Sequence, residues 1–169
     1  MTPRLVVVGM PASGKSTVGH AVATSLGVPF VDADQLIEER TGKLIREIFS
    51  DDGEEAFRAI EEKTVLEALT GDGVVSLGGG AVLSANIREA LSGVPVAWLQ
   101  VSVATATRRA GLNQLRPLLL GDVRARMEAL LEERRHLYEG VATIQISTER
   151  IKPAALAEAI VAALGEKDA

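Results

Sequence analysis

The sequence predicts an α/β fold in which a parallel β-sheet is covered by helices. Three observations support this prediction: short apolar segments alternate with amphipathic ones, a glycine-rich turn follows the first apolar segment, and aromatic residues are scarce. Hydrophobic residues make up 47% of the 169 positions, but aromatic residues only 3%. A core built mostly from Val, Leu, Ile and Ala suits a parallel sheet that is buried on both faces. We therefore expect the ligand-binding loops at the carboxyl ends of the strands.

The predicted elements follow from apolar runs, helical periodicity and stop signals. The predicted strands are residues 5–8, 28–31, 74–77, 94–101 and 143–146. The predicted helices are residues 15–26, 34–40, 44–49, 54–69, 86–91, 104–109, 124–138 and 153–164. Glycines follow most of these helices, and residues 111–123, called the lid segment here, lack periodicity and predict a mobile lid. No linker or repeat interrupts the pattern, so residues 1–169 are expected to form one domain.

Composition also limits the partners and the compartment. The formal charge of −5 argues against a nucleic-acid-binding surface. The chain contains no cysteine, which agrees with a reducing environment. No apolar stretch reaches the roughly 18 residues that a membrane span needs, and no secretion signal is apparent. We therefore expect a cytoplasmic protein without a membrane partner, and the size suits a monomer.

A phosphate-binding loop is the strongest single motif. Residues 9–16 read Gly-Met-Pro-Ala-Ser-Gly-Lys-Ser and follow an apolar strand directly. Gly9 and Gly14 permit backbone angles at which successive N–H groups can turn toward phosphates. Lys15 would place a charge near the β- and γ-phosphates, and the Ser16 hydroxyl could bind Mg²⁺. The motif therefore predicts a nucleoside triphosphate site, the alternative being a chance match in a glycine-containing turn.

Two aspartates follow the second predicted strand. Asp32 and Asp34 could divide two tasks, in which one organises the water shell of a metal ion and the other accepts a proton from an attacking alcohol. The alternative for Asp34 is a helix cap.

Three consecutive glycines, residues 78–80, follow the third predicted strand. Because glycines lose much chain entropy on folding, a simple turn is a weak explanation for three in a row. We therefore expect the backbone to contact a ligand there, with N–H groups available to an anion. A tight strand-to-helix connection is the alternative.

Several arginines are candidates for binding a ligand. Arg134 lies on the apolar stripe of its predicted helix, whereas Arg135 lies on the polar face, so Arg134 should point inward and should need an anion. Arg58 could instead form an ordinary surface pair with acidic residues one turn away. Arg116 in the lid segment could close over the γ-phosphate or remain solvated. Arg108 and Arg109, just before the lid segment, could face the nucleotide base or the solvent.

The remaining side chains predict little chemistry. The two histidines, at positions 20 and 136, have no metal-ligand neighbours at suitable spacing. Trp98 and Tyr138 are expected to belong to the core.

Taken together, these motifs resemble shikimate kinase in order and spacing, over nearly the whole chain. The segments that carry the resemblance are residues 9–17, Asp32-Ala33-Asp34, residues 52–58, Gly78-Gly79-Gly80 and Arg116-Pro117-Leu118-Leu119. The resemblance implies a P-loop NTPase fold of the nucleoside-monophosphate-kinase type, with a five-stranded parallel sheet in the order 2-3-1-4-5. It also implies transfer of the ATP γ-phosphoryl group to the 3-hydroxyl of shikimate, with one Mg²⁺ ion, in aromatic amino acid biosynthesis.

The resemblance assigns a role to each motif. Asp34 would hold and activate the shikimate hydroxyl, while Arg58, Arg134 and the backbone at Gly79 and Gly80 would hold its carboxylate, in a region that includes helices within residues 32–62. Lys15 and Arg116 would contact the transferred phosphoryl group. Ser16 would bind Mg²⁺ directly and Asp32 through water. The residues implied to bind ATP are Ala12, Ser13, Gly14, Lys15, Ser16, Thr17, Arg109, Arg116 and Pro153.

The sequence departs from the family pattern at Ile151, where an arginine often stands near the adenine. Two other functions remain open: another small-molecule kinase of the same fold, such as gluconate kinase, and a non-catalytic ATP-binding homologue.

Overall fold

A five-stranded parallel sheet organises the protein. The structure, a computed structural model, describes residues 1–112 and 120–168. The strands are β1 (Leu5–Val8), β2 (Phe30–Asp32), β3 (Val74–Ser76), β4 (Val96–Gln100) and β5 (Ile144–Ser147). Their order in the sheet is β2-β3-β1-β4-β5, and the pairs are parallel, which confirms the predicted topology.

Helices connect the strands and cover both faces of the sheet. They are α1 (Lys15–Leu26), α2 (Ala33–Thr41), α3 (Ile45–Ala68), α4 (Ala85–Ala90), α5 (Val103–Leu112), α6 (Leu120–Val141) and α7 (Pro153–Asp168). A short 3₁₀-helix, Ala81–Leu83, precedes α4. Within the described residues, no helix combines the length and apolar character that a bilayer crossing would require.

The central strand is buried on both sides. Val6 and Val8 belong to one apolar cluster, which includes side chains from α3, α4 and α6. Leu5 and Val7 belong to the other, which is completed by α1 and α7. Because successive side chains alternate between the two faces of the sheet, each face of β1 packs against one layer of helices. This packing fixes the carboxyl end of β1, from which the glycine-rich loop emerges.

The predicted break between helices 44–49 and 54–69 is confirmed, because α3 is kinked at Gly53, whose φ of 87° is not helical. Some predicted strand starts were wrong for local reasons. Strand β2 begins at Phe30 rather than residue 28, because the Val28 N–H closes the end of α1 on the Ala23 carbonyl. Strand β4 begins later than residue 94, because the Val94 N–H donates to Leu91 in a turn.

Both ends of the predicted lid segment are helical. Residues 111–112 extend α5, and residues 120–123 form the first turn of α6. Residues 113–119 lie outside the described part of the chain, and Arg116 with them.

Candidate active site

The glycine-rich loop closes around its own lysine. Gly14 has a φ of 89° and caps α1, while the Ser13 N–H donates to the Met10 carbonyl at 3.2 Å. The Lys15 ammonium donates to the carbonyls of Gly9 and Met10, at 3.0 and 2.9 Å. Gly9 is required because a Cβ there would lie 2.8 Å from the Leu99 carbonyl oxygen on the neighbouring strand. The loop is thus held against the sheet, with α1 beginning beneath it.

Lys15 lies in a partly buried position. Burial lowers its pKa from 10.5 to about 8, although the nearby Asp34 and Asp32 carboxylates raise it. An ammonium that has lost much of its hydration gains more from a new anionic partner than one on an open surface would. The position therefore suits a phosphate ligand.

Asp32 is the N-cap of α2, so the alternative that Asp34 caps this helix was wrong. Its Oδ1 accepts a hydrogen bond from the Gln35 N–H at 3.2 Å, and its Oδ2 accepts one from the Ser16 hydroxyl. This contact brings together two side-chain oxygens at the glycine-rich loop, one from the start of α1 and one from the end of β2. Nowhere in residues 1–112 and 120–168 do three His, Cys, Asp or Glu side chains cluster to hold a metal ion by themselves. A magnesium ion with few protein ligands and several phosphate and water ligands fits this donor set.

Asp34 lies in the first turn of α2 and faces a cavity beside the glycine-rich loop. The cavity has a volume of about 410 Å³ and is lined by Asp34, Asp32, Lys15 and Gly79, together with other residues of the glycine-rich loop and the first turn of α1. Burial raises the pKa of Asp34 from 3.8 to about 6, helped by the negative charges of Glu61 and Asp32 and opposed by Lys15. A carboxylate whose pKa lies near neutrality is well suited to exchange a proton with a bound alcohol.

The triple glycine is explained by close contacts at its first and last residues. A Cβ on Gly78 would lie 2.6 Å from Oδ1 of Asp34. A Cβ on Gly80 would lie 2.5 Å from both terminal nitrogens of the Arg58 guanidinium. Residues 78–80 therefore run between these two side chains, and neither end could carry a larger residue without displacing one of them.

Arg58 is more than a surface ion pair. Its Nη1 donates to Glu61 at 2.8 Å, and the Glu61 side chain is only 3% exposed. Burial raises the pKa of Glu61, while the hydrogen bond and positive charge of Arg58 lower it. The exposed Glu54 adds a longer contact of 3.5 Å. Arg58 Nε is buried without a hydrogen-bond partner in the described residues, so the guanidinium retains donor capacity for a ligand.

Arg134 points inward and Arg135 is exposed, as the helical periodicity predicted. Arg134 is 7% exposed, and its Nε is buried with no hydrogen-bond partner among the described residues. A buried guanidinium without a full set of partners is costly, so an anion would be stabilised there. Arg134 also affects the pKa values of Lys15 and Glu61, which places it in the same group of charges.

A second cavity lies beyond the glycine-rich loop, toward α7. It has a volume of about 290 Å³, and its lining includes Arg109, Thr148, Ile151 and Pro153 with loop residues 12–14. Arg109 Nη1 donates to the Ala12 carbonyl at 3.1 Å, which ties α5 to the loop. The structure thus brings Arg109 and Pro153, both predicted to bind adenine, to one cavity. Ile151, the residue that departs from the family pattern, lines it as well.

Comparison with known proteins agrees with this geometry. The family model described as "Shikimate kinase" matches residues 11–165. The chain belongs to the shikimate kinase family. A curated shikimate kinase from Mycobacterium avium (strain 104) is 52% identical over 171 residues, covering 100% of this chain and 97% of the relative.

Solved structures of this family superpose closely. A shikimate kinase from Acinetobacter baumannii, solved in complex with shikimate, has a TM-score of 0.91 and 32% sequence identity, covering 99% of this chain and 94% of its own. A gluconokinase from Sinorhizobium meliloti 1021 gives a TM-score of 0.65 at 23% identity, covering 96% and 91% of the two chains, a likeness of fold alone.

The structure also brings forward residues that the sequence reasoning passed over. Glu61 is one of the acidic residues that the sequence predicts as surface partners of Arg58, but it shares a helical face with Phe57 and Val65, which are buried. That periodicity could have identified it. Tyr138 was assigned to the core, and it is fully buried, but its hydroxyl also donates to the Gly79 carbonyl at 2.6 Å. Arg116 lies outside the described residues, so its contact with phosphate stays a prediction.

Proposed function

We propose that this chain transfers the γ-phosphoryl group of ATP to the 3-hydroxyl of shikimate, giving shikimate 3-phosphate and ADP in aromatic amino acid biosynthesis. The observation that carries the proposal is the run of residues 78–80 between the Asp34 carboxylate and the Arg58 guanidinium, beside the phosphate-binding loop. This arrangement places Arg58, which could bind an acid group, and Asp34, which could bind a hydroxyl, within one small site. Membership of a kinase family whose A. baumannii relative was solved with shikimate supports the same substrate.

The acceptor carboxylate would be held by two guanidinium groups and backbone N–H groups. Arg58 and Arg134 each have a buried Nε without a partner in the described chain, and the backbone of Gly80 lies against the Arg58 guanidinium. Planar guanidinium forks match a planar carboxylate in geometry as well as in charge. This arrangement would orient shikimate before any chemistry begins.

Asp34 would accept the proton of the 3-hydroxyl. As the hydroxyl oxygen forms its bond to the γ-phosphorus, the bond from that phosphorus to the oxygen bridging to the β-phosphate breaks, and ADP leaves with that electron pair. The pKa of about 6 leaves Asp34 ionised at neutral pH and close to the range in which proton transfer is efficient. Catalysis would otherwise rest on positioning and electrostatics.

The donor would occupy the glycine-rich loop. The backbone of residues 12–14, with Lys15 and Thr17, would surround the phosphates, and Arg116 would reach the transferred group from the lid segment. Arg109 and Pro153 would enclose the adenine in the second cavity, where the exposed Ile151 changes the contacts relative to the family pattern.

Ser16 and Asp32 fit a magnesium ion bound together with ATP. The Ser16 hydroxyl and the Asp32 carboxylate lie in direct contact at the loop, and both are oxygen ligands of the kind that Mg²⁺ prefers. Ser16 would hold the ion directly and Asp32 through its water shell. When bound, the ion would neutralise charge on the phosphates.

A coupled assay of ADP release tests the proposal. We expect turnover with shikimate and at most a trace with gluconate or nucleoside monophosphates, and loss of turnover when Mg²⁺ is chelated. Equal or better turnover with gluconate would favour the other small-molecule kinase. No turnover with any acceptor, together with retained ATP binding, would favour the non-catalytic homologue.

We propose further that residues 1–169 form one domain and that the protein acts as a cytoplasmic monomer. The size of the chain and the absence of cysteine support this proposal. Size-exclusion chromatography with light scattering tests the oligomeric state, and a dimer mass would overturn it.

A further inference from the structure

We infer that Tyr138 is a positioning residue for the acceptor carboxylate site, because its hydroxyl fixes the peptide unit between Gly79 and Gly80. This inference rests on the proposed function, since it concerns how the same site holds its acid. Tyr138 would not touch the substrate. It would act through the glycine backbone and through Arg134, which lies one turn earlier on α6.

The hydrogen bond from Tyr138 determines how one peptide plane is oriented. The hydroxyl donates to the Gly79 carbonyl at 2.6 Å, and the chain contains no cis peptide bonds in its described part. In a planar trans peptide the carbonyl and the following N–H point in opposite directions. Holding the Gly79 carbonyl therefore also sets the direction of the Gly80 N–H. No acceptor for that N–H is present within residues 1–112 and 120–168.

The glycine backbone needs such an anchor. Residues 78–80 have no Cβ atoms, so their own conformational preferences restrict the peptide plane little. The turn that leads into the 3₁₀-helix is closed by a hydrogen bond from the Ala81 N–H to the Gly78 carbonyl at 3.1 Å, and the helix itself by one from the Leu83 N–H to the Gly80 carbonyl at 3.0 Å. Neither bond uses the Gly79 carbonyl, which accepts from Tyr138. The Tyr138 hydroxyl thus supplies a constraint that the glycines cannot supply themselves.

Tyr138 is itself held firmly. Its side chain is fully buried, and its ring stacks on Trp98 with centroids 5.8 Å apart and planes inclined by 28°. Trp98 pairs with Val8, the last residue of the strand that leads into the glycine-rich loop. The hydroxyl is therefore positioned by the rigid sheet rather than by a loop.

The same hydroxyl lies beside the carboxylate-binding arginines. Burial raises the pKa of Tyr138, while the positive charges of Arg134 and Arg58 lower it. Arg134 and Tyr138 are four residues apart on α6 and so share one face of that helix. Helix α6 would thus position Arg134 directly and, through the Gly79 carbonyl, the Gly80 N–H.

The first test is Tyr138→Phe, which keeps the ring and removes only the hydroxyl. We expect the KM for shikimate to rise about five- to tenfold, in line with loss of one buried neutral hydrogen bond, while kcat and the KM for ATP change less than about twofold. Val141→Ala, on the same helix and packed against the same core, is the control for lost stability without the hydroxyl. Equal effects of the two variants on the KM for shikimate would overturn the inference, as would an unchanged KM in Tyr138→Phe.

A second measurement does not depend on how well that variant folds. Tyr138 is the only tyrosine in the chain, so biosynthetic incorporation of 3-fluorotyrosine labels this position alone. We expect the ¹⁹F resonance to shift on saturation with shikimate and to shift much less with ADP. An unmoved resonance in an enzyme that turns over shikimate would overturn the inference alone. Absence of turnover in the wild-type protein would instead overturn the proposed function, and the inference with it.

Discussion

Replacing Asp34 with asparagine is expected to stabilise the free protein and to remove most of its activity. Burial and the charges of Glu61 and Asp32 disfavour the ionised form of Asp34 in the folded state. Asparagine has almost the same shape and carries no charge. The variant should therefore be free of an electrostatic cost that the wild-type protein bears for function.

The size of the effect follows from the pKa. The folded-state pKa of about 6 exceeds the ordinary aspartate value of 3.8 by roughly two pH units. Each unit corresponds to about 1.4 kcal/mol, so ionised Asp34 costs about 3 kcal/mol of folding free energy at neutral pH. Because the pKa is raised, this cost is absent below about pH 4, grows as the pH rises from 3.8 to about 6, and is constant above that. The figure already includes the attraction of Lys15.

Urea unfolding of both proteins between about pH 4 and pH 7.5 measures this difference. We expect equal stability near pH 4 and a gain of up to about 3 kcal/mol in Asp34→Asn at pH 7.5. The kcat should fall at least about 100-fold while ATP binding persists, because the proton acceptor is lost. A stability difference that does not vary with pH would refute the electrostatic reasoning, and turnover like that of the wild type would remove Asp34 from the chemistry.

Three further predictions concern the arginines and the glycine loop. Arg58→Ala and Arg134→Ala should each raise the KM for shikimate by about 10-fold or more and leave the KM for ATP nearly unchanged. The control is Arg40→Ala, which breaks an exposed ion pair with Glu67, and equal effects on the KM values of both substrates would argue against a carboxylate site. Gly80→Ala should raise the KM for shikimate by a similar factor, because its Cβ would lie 2.5 Å from the Arg58 guanidinium. The control is Gly140→Ala, whose Cβ would meet nothing within 4 Å and which should leave the kinetics unchanged. A normal KM in Gly80→Ala would show that Arg58 can move at no cost to binding. Arg116→Ala should reduce kcat by about 10²-fold or more with little change in the urea midpoint; an unchanged kcat would make Arg116 a solvated loop residue.

The parts of the fold that sequence reasoning located well are those with strong local signals. Helix α1 was predicted with its observed bounds, because Gly14 and Gly27 flank it with positive φ angles. The inward direction of Arg134 followed from its place on an apolar helical stripe. The strand order, by contrast, came from the family resemblance, since neighbours in a parallel sheet are not encoded by any single segment.

The failures lie where tertiary contacts decide. Helix α6 begins at Leu120 although Gly121 disfavours helix. The pair of Arg58 and Glu61 has the spacing of an ordinary surface pair, and only packing reveals that Glu61 is buried. Glycine contacts with side chains at 34 and 58 are long-range, so residues 78–80 could be recognised as unusual but not explained.

A crystal structure of the protein with ADP, Mg²⁺ and shikimate tests the central claim most directly. We expect the shikimate carboxylate within about 3 Å of the guanidinium groups of both Arg58 and Arg134, with the 3-hydroxyl at a similar distance from the Asp34 carboxylate. A carboxylate bound elsewhere, with either arginine turned away from it or the hydroxyl remote from Asp34, would contradict the proposed acceptor site.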